Sequence, residues 1–211
     1  MFITLEGPEG SGKSSHITPL ADALRQVGYP VVITREPGGT PIGDEIRDTL
    51  LNLKNTAMHP TTEILLFQAS RAQHVYELIL PTMQQGKVVL CDRFADSTMA
   101  YQGYGHQTNL KELAQIIHFA TGGLRPDLTL LLDVDIEIGL KRRSSDQDNW
   151  NRLDAKEKAF HQRVRAGYLE MAEAQPGRWV VVDAAQPLEI VQRTLIQTVL
   201  GRLAESMPPS S

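Results

Sequence analysis

The chain has 211 residues, 41% of them hydrophobic and 22% charged, with a formal net charge of −4. That length suffices for one α/β domain with a full core, and the negative balance excludes the global basic field by which many nucleic-acid binders hold their partner. The single cysteine, Cys91, excludes an intrachain disulfide framework, and no apolar run is long enough to span a membrane.

Phe2-Ile3-Thr4-Leu5 reads as a short buried strand. It begins so near the N-terminus that no room is left for a signal peptide, so the chain is expected in the cytoplasm. Gly7, Pro8, Glu9, Gly10, Ser11, Gly12, Lys13 and Ser14 follow at once and fit G-x-x-x-x-G-K-[ST], the phosphate-binding loop. Its glycines let successive backbone N–H groups turn inward, Lys13 can reach the β- and γ-phosphates, and the Ser14 hydroxyl can ligate Mg²⁺. The helix that begins near Lys13 and carries Ser15 points its positive end at the same phosphates. A strand–loop–helix with every motif position filled identifies a nucleoside triphosphate binder.

The first helix is expected from Lys13 to Gly28, with Ile17, Leu20, Ala21, Leu24 and Val27 on one face and a kink at Pro19. Val31 to Thr34 is the next strand, and Arg35-Glu36-Pro37-Gly38-Gly39-Thr40-Pro41 forms a loop at its C-terminal end, the edge where doubly wound sheets bind ligands. A helix follows from Ile42 to Leu53. Thr61 or Thr62 can cap a longer one running to about Gln85, apolar on more than one side. On it Arg71 lies one turn after Phe67. An aromatic ring and a guanidinium so placed can sandwich a flat base, although spacing alone favours a core phenylalanine beside a snorkelling arginine.

Lys87 to Asp92 is a near-continuous apolar strand ending in an acid, the expected Mg²⁺ partner after a phosphate loop. Arg93 follows immediately and supplies a phosphate clamp. Phe94 to Gly105 is rich in hydroxyls and amides and suits a polar pocket, or else the start of an ordinary helix. Further helices are expected over Leu110–Ala120, Ile136 to about Arg143, Asp154–Ala174 and Leu188–Leu203, and further strands over Leu128–Asp133 and Trp179–Asp183. Arg142, Arg143 and Arg152 flank or end a polar, aperiodic stretch that reads as a mobile lid over about 142–153. The expected architecture is α/β: a five-stranded parallel sheet with helices on both faces, one domain over 1–205 and an unstructured tail over 206–211.

Absent motifs narrow the class. No D-x-x-G or N-K-x-D segment of a switch GTPase occurs, and the histidines show no metal-ligand spacing. A kinase acting on an unphosphorylated nucleoside would not need the arginines at Arg35 and Arg93, and the missing guanine clamp argues against a slow regulatory NTPase.

Three segments together, Gly7–Ser14, Arg35-Glu-Pro-Gly-Gly-Thr40, and Asp92-Arg93-Phe94 with Ser97 and Ala100-Tyr101-Gln102-Gly103, closely resemble the bacterial thymidylate kinase family. The phosphate loop is shared by a vast superfamily, whereas the other two are far more specific. The resemblance implies a P-loop NTPase fold, transfer of the γ-phosphoryl group of ATP to dTMP, and a homodimer. It also implies residue roles. Phe67 would stack on thymine, Arg71 donate to its exocyclic oxygen, and Gln102 read the base edge. Tyr101 would crowd the ribose 2′ position, with Ser97 and Thr98 lining the same pocket. Glu9 would hold the 3′-hydroxyl, Arg93 clamp both phosphates, and Arg35, Glu36 and Pro37 shape the monophosphate site. Some family members carry an arginine where this chain has Gly10, and here a lid arginine (Arg142, Arg143 or Arg152) would supply that charge.

Overall fold

Short apolar strands and longer amphipathic helices alternate along the chain, and the described strands join one parallel sheet. The computed structural model describes residues 1–144, 151–154 and 156–206. Strands β1 (Phe2–Glu6), β2 (Val31–Arg35), β3 (Val88–Asp92), β4 (Leu128–Asp133) and β5 (Trp179–Asp183) lie in the order β2-β3-β1-β4-β5. Every neighbouring pair is parallel. Alternate side chains feed two cores. Ile3, Leu5, Leu90, Leu130 and Leu132 pack against helices α1 (Lys13–Gln26) and α9 (Leu188–Ser206). Phe2, Val89 and Cys91 face Val75 and Ile79, and Leu131 faces Phe160, Val164 and Tyr168 of helix α8 (Lys158–Ala174). Strands buried on both faces read as continuous apolar runs, and these do.

Helix α1 includes Pro19 and closes through Gly28 at φ 93°, where Gly28 N–H donates to Arg25 and Tyr29 N–H to Leu24. Helix α2 (Pro41–Leu51) starts one residue before the expected Ile42 and stops two short of Leu53, with Thr40 Oγ1 accepting from Gly43 N–H at 3.1 Å. The helix expected from Thr61 or Thr62 to Gln85 is instead capped by His59 with Pro60 in its first position, and it is divided. Helix α3 (Pro60–His74) widens into a π-helical turn at Val75–Ile79 before α4 (Leu80–Gln84). Pro81 explains the widening, because it has no N–H for a regular bond to the preceding turn. Phe94–Gly105 is helical from Ala95 on and also lines the cavity described below: α5 (Ala95–Thr98) runs into a second π-helical segment, Met99–Gly105. Helix α6 (Leu110–Thr121) and helix α7 (Ile136–Ser144) lie close to expectation.

Two further boundaries are corrected. Helix α8 begins at Lys158 rather than Asp154, whose carboxylate is held by Arg143 and by the Asn151 N–H. Ser206 belongs to α9 rather than to the tail, and 207–211 lie outside the described residues. No described helix is long and apolar enough to cross a membrane. Cys91 is fully buried, and burial pushes its thiol well above the usual range, which suits a core residue.

Candidate active site

The parallel sheet brings the ends of β1, β2 and β3 to one edge, and with them Glu6, Arg35 and Asp92. A cavity of about 670 Å³ opens there. It reaches from the phosphate loop at Glu9–Ser15, past Asp92 and Arg93, to Phe67, Arg71, Thr98 and Gln102. Ala184, Gln186 and Leu188, after β5, line its other end.

Three glycines make the loop possible: Gly7, Gly10 and Gly12 have φ of 147°, 69° and 89°. Helix α1 has no side-chain cap and no acid in its first turn, so its N-terminal N–H groups face an anion without internal competition. Lys13 Nζ donates to Gly7 O and Pro8 O at 3.0 Å each and to Ser11 Oγ at 3.1 Å. Burial, and next the Arg93 guanidinium, pull its ammonium down to about 8. Ser14 Oγ donates to Asp92 Oδ2 at 3.0 Å, while the buried Asp92 Oδ1 has no partner among the described residues. A hydroxyl oxygen beside an unused carboxylate oxygen is a hard donor set that fits Mg²⁺, which takes few protein ligands and completes its shell with phosphate and water.

Gly10 answers the question that its place in the loop raises. A Cβ there would lie 2.0 Å from Gly139 O on α7, and a Cβ on Gly139 would lie 2.3 Å from Glu9 O. The loop and α7 thus touch backbone to backbone, and an arginine at position 10 is excluded on steric grounds. Gly10→Ala is expected to cost about 1–3 kcal/mol through strain at positive φ and displacement of α7. Turnover should fall with it; thermal melting and steady-state kinetics check both.

Arg93 has φ 68°, unusual for a residue with a side chain, and its surroundings hold it there. Nη1 donates to Gly7 O, Ser97 Oγ and Tyr168 Oη at 3.1–3.3 Å, and Nη2 to Glu9 Oε1 at 2.8 Å and Tyr101 Oη at 3.1 Å. Burial alone would raise the Glu9 carboxyl, but Arg93 and then Lys13 hold it well below the usual range. Tyr101 Oη donates to Glu9 Oε1 at 2.8 Å, and its ring lies 4.9 Å below the Arg93 guanidinium. Ser97 Oγ donates to Glu6 Oε2 at 2.6 Å. Glu6 also accepts from Phe94 N–H at 2.8 Å, so the acid that ends β1 braces the turn on which Arg93 sits.

At the far end, Phe67 packs with Leu50 and Leu153. Arg71 is fully buried: Nε donates to Glu36 Oε2 and Nη1 to Gln68 Oε1, both at 2.8 Å, and Nη2 to Phe94 O at 3.1 Å. Glu36 Oε1 also meets His74 Nδ1 at 3.0 Å, and the Glu36–Pro37 peptide is cis. Arg35 is half exposed and donates to Asp44 Oδ1 at 3.0 Å. Of the polar stretch after α7, residues 145–150 lie outside the described residues. Arg142 donates to Ala184 O at 3.0 Å, Arg143 grips Asp154 with two bonds of 2.9–3.0 Å, and both line the cavity.

Arg152 does not line it. It is buried, paired with Glu63 Oε2 at 2.5 Å and bonded to Leu50 O at 3.1 Å, so its charge is already neutralised away from the phosphate loop. Gly7 and Pro8 take part through their carbonyls, beneath Lys13.

Sequence reasoning passed over Glu6, Arg47, Glu63 and Tyr168. Arg47 lines the cavity beside Arg35, and the Tyr168 hydroxyl bonds Ser97 and Glu6. Glu63 was findable, since it precedes Phe67 and Arg71 by one and two helical turns on the same face. Tyr168 carried no signal, because only the packing of α8 on the second π-helical segment brings it to Arg93.

A phosphate loop, a strand-end acid and a second arginine-lined pocket sharing one cavity define a P-loop nucleotide kinase. The sequence profile of the thymidylate kinase family matches residues 5–195. The thymidylate kinase of Herpetosiphon aurantiacus is 52% identical over 96% of both chains. That of Roseiflexus sp. strain RS-1 is 53% identical over 90% of this chain and 88% of its own. The crystal structure of thymidylate kinase from Ehrlichia chaffeensis superimposes with a TM-score of 0.77 at 34% identity, covering 95% of this chain and 98% of the other. The chain belongs to the thymidylate kinase family and is a nucleoside monophosphate kinase that uses ATP.

Proposed function

We propose that this protein transfers the γ-phosphoryl group of ATP to dTMP, releasing ADP and dTDP, with Mg²⁺ bound alongside ATP. The observation that carries the reading is the continuity of the cavity: phosphate loop and base pocket are two ends of one space, joined at Arg93. An oxygen of the dTMP phosphate attacks the γ-phosphorus and the bond to the β-phosphate oxygen breaks. The attacking oxygen is already anionic at neutral pH, so no strong general base is needed and positioning and charge neutralisation dominate.

Lys13 and the loop N–H groups neutralise the ATP phosphates, and Arg93 spans donor and acceptor. Ser14 and Asp92 would hold Mg²⁺, which supplies charge neutralisation on the transferred group when bound. Phe67 stacks on thymine, and Arg71 and Gln102 read its edge. Tyr101, with Ser97 and Thr98, crowds the ribose, while Glu9 holds the 3′-hydroxyl. Arg35, Glu36 and Pro37 shape the monophosphate site. Arg142 and Arg143, both on the cavity wall, are the arginines assigned to the transferred phosphate. Within residues 1–205, read as one domain, the stretch 142–153 serves as the lid that excludes water. The absence of any membrane-crossing helix among the described residues is compatible with a cytoplasmic enzyme. Leu65, Tyr76 and Phe119 stand exposed on α3, its π-helical continuation and α6, and we assign this apolar face to a homodimer contact.

The test is ADP release from ATP and Mg²⁺ with each nucleoside monophosphate in turn. High activity with dTMP, weaker with dUMP and negligible with dCMP, dGMP and AMP is the expected outcome. A different preferred acceptor would keep the roles of Lys13 and Arg93 and overturn those of Phe67, Arg71 and Gln102.

A further inference from the structure

Glu63 is a buried acid on α3 that touches none of the cavity, yet it holds a residue that does. Its side chain is 1% exposed. Oε1 accepts from Gln102 Nε2 at 2.7 Å and meets His106 Nε2 at 3.2 Å, and Oε2 is paired with Arg152. Burial pushes the Glu63 carboxyl up, but the hydrogen bonds from His106 and Gln102 and the charge of Arg152 outweigh it and bring it down to about 2. At working pH it is a carboxylate, which only accepts hydrogen bonds.

A carboxylate fixes its neighbours. His106 must carry its proton on Nε2. The Gln102 amide must turn its NH₂ group toward Glu63, because the flipped amide would set two oxygens against each other in a dry site. Gln102 Oε1 is thereby directed away from Glu63, and no described residue donates to it. Gln102 lines the cavity in company with Phe67 and Arg71. We infer that Glu63 is a specificity-positioning residue: by locking the Gln102 amide, it makes the pocket present an acceptor at Gln102 beside the donor at Arg71.

The complement of that pair is a planar base with a ring N–H next to a carbonyl, the imide edge shared by thymine and uracil. Cytosine reverses both groups, so acceptor meets acceptor and donor meets donor. This inference rests on the reading of dTMP as acceptor and names how its base is distinguished.

The experiment compares dTMP with dCMP, in which the ring nitrogen is an acceptor and an amino group replaces the carbonyl, in wild type and Glu63→Gln. Wild type is expected to prefer dTMP by about a hundredfold or more in kcat/KM, since a buried acceptor and a buried donor both lose their partners. In Glu63→Gln the Gln102 amide can turn either end to the base, so the preference should fall by about tenfold or more, with KM for ATP unchanged. Undiminished preference in a folded Glu63→Gln overturns the inference. Should that variant fail to fold, Glu63→Gln combined with Arg152→Met, which removes the guanidinium left unpaired, decides: a fall in the preference supports the inference and full retention overturns it. Wild type without dTMP-dependent ADP release overturns the acceptor reading itself. Normal dTMP turnover matched by equal turnover of dCMP keeps the phosphoryl-transfer reading and overturns this inference alone.

Discussion

Lys13→Ala is expected to lower kcat for dTMP phosphorylation by about a thousandfold or more while the protein still folds. The ammonium is the group in the loop that carries a full positive charge toward the triphosphate, and removing one preorganised donor at a developing charge commonly costs 10²–10³ in rate. Its three hydrogen bonds are all to atoms of the loop itself, Gly7 O, Pro8 O and Ser11 Oγ, and none reaches the core. The circular dichroism spectrum and a cooperative melt should therefore survive. Near-normal turnover would remove Lys13 from the mechanism.

The same residue gives a pH signature. Burial and Arg93 bring the Lys13 ammonium from 10.5 to about 8 in the free protein. Above that pH the charge is progressively lost, so kcat/KM for ATP should fall as pH rises through about 8. Bound triphosphate places negative charge beside Nζ and raises its pKa again, so kcat should hold to higher pH than kcat/KM. Proton uptake on nucleotide binding near pH 8.5, read by calorimetry in two buffers of different ionisation enthalpy, tests the same linkage. No uptake would mean that Lys13 stays fully charged in the empty loop.

Arg71→Ala should damage the protein twice, and the two effects can be separated. The Arg71–Glu36 pair is buried, with side chains 1% and 3% exposed. Truncating one partner leaves a buried carboxylate facing His74 alone, which costs about 3–5 kcal/mol. On top of this, KM for dTMP is expected to rise at least tenfold more than KM for ATP, because Arg71 lines only the acceptor end of the cavity. Adding Glu36→Gln to Arg71→Met removes the stranded charge and should restore much of the stability, yet not the affinity for dTMP. Equal losses for ATP and dTMP, both rescued by the double variant, would make Arg71 purely structural.

The local chemistry of this chain was legible one segment at a time. Gly7 to Ser14 dictates an anion loop because glycines at positive φ and a lysine at the helix start leave few alternatives. The strands were legible because residues buried on both faces of a parallel sheet must be apolar throughout, as Val88 to Cys91 are. Other features belong to packing. Pro81 and the Phe94–Gly105 segment produce π-helical turns whose width depends on what lies against them. The spacing of Phe67 and Arg71 favoured a core pair over a base clamp, and only the fold shows that Arg71, although buried and paired, lines the cavity.

Arg152 and Gly10 mark the boundary most clearly. By itself the sequence determined the strand–loop–helix that binds phosphate, the alternation that yields a parallel sheet, and the three segments by which the family is recognised. Those depend on neighbours in the chain, through backbone conformation and side-chain period. Only the tertiary structure decided that Gly10 abuts Gly139, that Arg152 is spent on Glu63 rather than on phosphate, and that Glu63 orients Gln102. A buried charge takes whichever opposite charge the fold sets beside it, however far away in the chain, as Arg152 takes Glu63, and no local pattern encodes that choice.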